Sequence, residues 1–170
     1  MIREKFEEIA SQLGCKYEYS EKRHVSLISR NIPASYHQMT LEYKTVKIEV
    51  LYEFGGQNLA WVKSSIKTNK NLPNFTVNTK SQIKRLFSKD KHPFIVKSDD
   101  TLFKAFILKT LETTSYNEIA NKTTFEPKLS GNKIEGYYKI NTNFYIGFDN
   151  KEQSILPSIN LHKSIIDKIM

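Results

Sequence analysis

The stretch TVKIEVLYEFGGQNLAWVKSSI, residues 45–66, decides how the chain folds. In its first half Val46, Ile48, Val50, Tyr52 and Phe54 fall on one side of an extended chain, and Lys47, Glu49 and Glu53 on the other. Successive side chains of a strand point to opposite faces, so this alternation predicts a strand buried on one face. Gly55-Gly56-Gln57-Asn58 supplies turn chemistry, and Leu59 to Ile66 returns carrying Trp61, which makes the pair a β-hairpin.

Working outward, the period changes. Ile2, Phe6, Ile9, Ala10 and Leu13 recur at helical spacing and Gly14 follows as a left-handed stop. The opposite face, Arg3, Glu4, Lys5, Glu7 and Glu8, is net acidic, which favours packing on a sheet over lying on an anionic membrane. Tyr17/Tyr19, His24 to Ser29 and Tyr36 to Tyr43 are weaker strand segments, with Pro33 as a break between two of them. Residues 67–80 are polar and turn-rich, the best place for an internal boundary but too short for an interdomain linker, with a short strand at Phe75 to Val77. Ile83, Leu86 and Phe87 suggest a short helix, and Phe94 to Val96 an extended piece.

Ser98-Asp99-Asp100 predicts a helix start, because short polar side chains accept the first free amide protons of a helix. Leu102, Phe103, Phe106, Ile107 and Leu111 give that helix a broad apolar face. Further on, Ile134, Gly136, Tyr138 and Ile140 alternate, Asn141-Thr142-Asn143 offers a turn, and Phe144, Ile146 and Phe148 alternate again. A terminal helix from Ser154 carries Ile155, Ile159, Leu161, Ile165, Ile166 and Ile169, with Pro157 tolerated in its first turn. Runs of strands between helices predict an α+β fold: an antiparallel sheet built from hairpins, with about three main helices packed on it, as one domain over residues 1–170.

Composition excludes several chemistries. With 170 residues, 39% of them hydrophobic, the chain is long enough for a core without disulfide or metal staples. Cys15 is the single cysteine, and His24, His37, His92 and His162 stand far apart, so neither an internal disulfide nor a structural zinc site is expected, and no cofactor motif is present. The charged start and the lack of any 18-residue apolar run predict no leader and no membrane span, hence the reducing cytoplasm.

The formal net charge of +8 is unevenly distributed. Residues 63–104 hold ten Lys+Arg against three acids, so +7 of the +8 lies there, between two nearly neutral flanks. Lys63, Lys67, Lys80, Lys84, Arg85, Lys89 and Lys91 are the candidate contacts to nucleic acid or another anionic surface. The plainer reading is a solvated lysine face, since only one of the ten is arginine, the residue that specific phosphate and base contacts favour.

Other constellations are weaker. Ser64-Ser65-Ile66-Lys67 has the Ser-x-x-Lys spacing of some acyl-transfer enzymes but sits at a strand end without partner motifs. Gly55-Gly56 lacks the lysine of a phosphate loop, Asp99 and Asp100 are explained by a helix cap, and Cys15 lies at a helix end, where nothing lowers a thiol pKa. The histidines are read as structural or surface residues.

Phe75 to Met170, with Phe94 to Asp100, the helix after it, the Ile134 to Phe148 hairpin and the closing apolar helix, resembles uncharacterised bacterial α+β domains often found beside membrane-anchored segments. The resemblance implies the fold and a bacterial origin, and carries over no catalytic residue. The leading functional expectation is a non-enzymatic interaction or accessory module whose partner is another protein, bound on a sheet face or edge. Nucleic-acid or anionic-surface binding through residues 63–104 is the alternative. The length also allows an enzyme with a site built from scattered residues, although no motif points to one.

Overall fold

The alternation of residues 45–66 is realised as a hairpin in a computed structural model of the chain, which describes residues 2–25, 31–81 and 92–170. In chain order the elements are α1 (Ile2–Leu13), β1 (Lys16–Val25), β2 (Asn31–Tyr43), β3 (Val46–Phe54), β4 (Leu59–Lys67), β5 (Phe75–Thr79) and β6 (Phe94–Ser98). Then follow α2 (Thr101–Thr113), α3 (Tyr116–Lys122), β7 (Lys128–Ile134), β8 (Tyr137–Tyr145), a 3-10 turn at Lys151–Ser154, and α4 (Ile155–Ile169). The strands make one eight-stranded sheet in the order β1-β2-β3-β4-β8-β7-β5-β6, antiparallel at every pairing. The hairpin β3–β4 read from the sequence joins the hairpin β7–β8 where β4 pairs β8, from Leu59↔Tyr145 to Lys67↔Tyr137. The fold is α+β.

The four described helices cover the same face. On that side Val46, Ile48, Val50 and Tyr52 of β3, Val62 of β4 and Ile140 and Phe144 of β8 are buried. From α1, Phe6 packs on His37 and Tyr52; from α2, Phe103 packs on Phe75; from α3, Tyr116 packs on Phe94. The fourth helix carries a polar seam at four-residue spacing. Ser154 Oγ donates to Lys151 O and Ser158 Oγ to Ser154 O. Each serine's one proton is thus used, so the Tyr52 and Tyr116 hydroxyls donate to them, both at 2.8 Å. One helical turn on, His162 lies between Ser64 and Thr142.

Several expectations change. The second hairpin turns at Glu135-Gly136, both at positive φ, and Asn141-Thr142-Asn143 lies inside β8. The asparagines point to the open face and Thr142 inward, so a triplet with turn composition serves as strand because one hydroxyl finds a buried partner. Pro33 does not break a strand either: it lies within β2, beyond the last β2–β3 pair, Ser35↔Phe54, where that ladder needs no N–H. Glu53, expected on the solvent side, is buried, because the turn after β3 folds over it and Gln57 N donates to its carboxylate at 2.7 Å. Gly55 is required in that turn, since it lies at positive φ and a Cβ on it would stand 2.2 Å from Pro33 O. Leu102 is 82% exposed, whereas Phe103, Ile107 and Leu111 are buried as expected. The short helix α3 has no periodic signal in the sequence, and the helix expected at Ile83, Leu86 and Phe87 lies outside the described residues.

Asp100 caps α2: its side chain accepts from Phe103 N at 2.8 Å. Asp100→Ala is expected to lower unfolding free energy by about 1 kcal/mol, and Asp99→Ala by much less. Urea denaturation of the two variants checks this, and equal losses contradict it.

Candidate functional site

With every described helix on one side, the other face of the sheet is left uncovered by the described residues. Its composition follows from strand parity and register. On β4, β8, β7, β5 and β6 the outward positions bear five lysines, Lys63, Lys67, Lys139, Lys128 and Lys97, and no Asp or Glu. Outward acids are confined to β1–β3: Glu18, Glu42, Glu49 and the buried Glu53. The remaining outward side chains of the lysine-bearing half include Trp61, Tyr137 and Tyr145 and a set of Asn, Ser and Thr.

The register places these groups in rows. One row across β3, β4, β8 and β7 is Leu51, Trp61, Asn143 and Lys128; the next is Glu49, Lys63, Asn141 and Ser130. Trp61 is half-buried between its neighbours, and Tyr145 is 58% exposed. Lys47, Glu49, Lys63, Ser65, Lys139 and Asn141 line a shallow depression of about 240 Å³, in which Lys47 pairs with Glu49 at 2.5 Å. Lys63 is exposed and Lys139 half-buried.

The candidate contacts of the basic stretch separate in space. Lys63 and Lys67 are exposed on β4. Lys80 follows β5, three places away across the sheet, where its backbone N donates to Pro93 O at 2.8 Å. Lys84, Arg85, Lys89 and Lys91 lie outside the described residues. Lys70 turns to the end of α4, donating at 3.0 Å to the carbonyls of Ile169 and Met170, where a cation suits the helix dipole. Lys128 and Lys139 take their place beside Lys63, from a part of the sequence whose net charge is near zero. Charge counted along the chain missed them; parity combined with strand pairing finds them.

Ser64, His162 and Thr142 form the most enzyme-like cluster. Ser64 Oγ is 2.9 Å from His162 Nδ1 and Thr142 Oγ1 2.9 Å from Nε2. Yet the third member is a hydroxyl rather than a carboxylate, His162 is fully buried, and burial pushes its pKa down to about 3. A neutral imidazole donating to one hydroxyl and accepting from the other ties α4 to β4 and β8. Ser64 points inward and Lys67 outward, so the Ser-x-x-Lys spacing brings no base to the serine. His37 is likewise buried, with its Nδ1 2.9 Å from the Tyr17 hydroxyl and its pKa lowered by burial.

The helical side has a groove of about 320 Å³ floored by Ile9, Ile119, Leu156 and Pro157, and a polar cleft of about 790 Å³ near Asn121, Asp149 and Asn150. Neither joins a nucleophile to a base. Among the described residues no group of three or more His, Cys, Asp or Glu could hold a metal ion. Cys15 is half-buried, and burial raises its thiol pKa. No helix among the described residues is long and apolar enough to cross a membrane.

No family model matches the chain, and no curated protein matches it. Among solved structures it is similar to the crystal structure of the mycobacterial trehalose monomycolate transport factor A, TtfA, at 10% sequence identity and a TM-score of 0.48, over 99% of this chain and 96% of that one.

Proposed function

We propose that the chain is a non-enzymatic docking module that holds a macromolecular partner on the uncovered face of its sheet, over β4, β8 and β7. The observation that carries this reading is the one-sided placement of the four described helices. Among the described residues it leaves the centre of a broad sheet open, with Trp61 and Tyr145 among amides and lysines rather than under a helix. The polar groups that resemble catalytic machinery are spent inside the fold on holding α4.

A photo-crosslinking residue placed at Asn141, at the middle of the face, is expected to give adducts in living cells. The same residue at Lys109, exposed on α2, is expected to give none. Equal adducts at both positions, or none from position 141, overturn the reading.

A further inference from the structure

We infer that the occupant of the lysine-bearing half of the sheet is a single-stranded nucleic acid, bound through its phosphates with bases stacked on Trp61; the inference rests on the docking reading of the same face. The first support is charge complementarity. Five lysines and no carboxylate project from the outward positions of β4, β8, β7, β5 and β6, although the whole chain has 18 acids to place. The cores of protein interfaces are depleted in lysine, so a protein partner does not account for the asymmetry. A polyanion does, by releasing its condensed counterions when lysines neutralise phosphates.

The second support is shape. A flat sheet face enters no duplex groove, but it presents a stacking platform to a strand whose bases are splayed out. From β4 to β6 the face spans four strand spacings, about 19 Å, room for a few nucleotides. Trp61 stands at one end of this span with Asn143 and Lys128 following in its row, an aromatic ring leading to an amide and a cation. The five cations are all lysine, point charges without the fork that reads guanine or grips phosphate bidentately, so the binding tolerates any sequence.

Fluorescence anisotropy with a fluorescein-labelled 15-nucleotide oligo(dT) tests this on the full chain. If each of the five lysines meets a phosphate, affinity falls about 100-fold between 50 and 200 mM salt. Trp61→Ala is expected to weaken binding about tenfold or more, and Trp61→Phe to restore most of it. Lys63→Glu with Lys139→Glu removes detectable binding, whereas Lys16→Glu with Lys22→Glu on β1 changes it little. All these side chains are exposed or half-buried, and an unchanged urea midpoint confirms that the variants fold. Absence of binding at 50 mM salt overturns the inference. So does binding that Trp61→Ala leaves unaltered, or polyglutamate competing as well as the oligonucleotide at equal charge, which would make an acidic protein the occupant. A crosslinked protein at position 141 without oligonucleotide binding removes the nucleic acid and leaves the docking reading standing; neither adduct nor binding removes both.

Discussion

Replacing His162 by alanine is expected to cost the fold about 4 kcal/mol in urea denaturation. The imidazole is fully buried, so its removal opens a cavity that the surrounding β4, β8 and α4 side chains fill only partly. It also leaves Ser64 Oγ and Thr142 Oγ1 without the ring nitrogens they bond, at about 1–3 kcal/mol for a buried polar group left unmatched. A domain of this size has about 5–15 kcal/mol of stability in all, so the variant sits near the edge of folding. A loss below about 1 kcal/mol contradicts the assignment. The same residue sets a pH dependence. In the folded chain it stays neutral down to about pH 3, whereas in the unfolded chain it binds a proton near pH 6.5. Between those values the unfolded state holds the extra proton, so stability is complete above pH 6.5 and falls as pH drops, by about 1.4 kcal/mol per unit. At pH 4 His162 accounts for about 3 kcal/mol of the loss, and His162→Gln is expected to show a pH dependence shallower by that amount. His37 contributes in the same direction in both proteins and cancels in the difference.

Phe125→Ala is expected to cost a comparable amount, about 4–5 kcal/mol. Phe125 lies in the connection between α3 and β7, yet it is fully buried and its ring stands edge-on to Tyr116 at 5.1 Å, Phe144 at 4.8 Å and Phe148 at 5.3 Å. Truncating a core phenylalanine costs about 3–5 kcal/mol in all, and the three lost edge-to-face pairs place Phe125 in the upper part of that range. Phe125→Leu is expected to recover about half, since it fills volume without the ring geometry. If the alanine variant loses less than about 2 kcal/mol, the ring is not the link joining α3, β8 and the loop after it.

These two residues differ in how far the sequence announces them. His162 lies on the apolar side of a helix whose Ile155, Ile159, Ile165 and Ile169 spacing is plain in the sequence, but the sequence leaves a structural and a surface role both open, and its burial and partners come from the fold. Ser64 and Thr142 are 98 and 20 residues away along the chain, brought to it by sheet pairing. Phe125, alone in a polar segment, gives no periodic signal. The strand β7 was unreadable for a related reason: its inward Gly131 is small because the rings of Phe75 and Tyr138 occupy the space a Cβ would need.

The sequence by itself determined the α+β class, the first hairpin, the cap at Asp100 and the limits of the last helix. Each depends on neighbours within a few residues, through side-chain parity, helical spacing or an amide three positions away. Tertiary structure decided which lysines share a surface. It divided a stretch carrying +7 of the net charge, sending Lys70 to the end of α4, and gathered Lys128 and Lys139 beside Lys63 on the open face. Charge along a chain is a sum over sequence, whereas a surface is a sum over space. Only the pairing of β4 with β8, and of β8 with β7, converts one into the other.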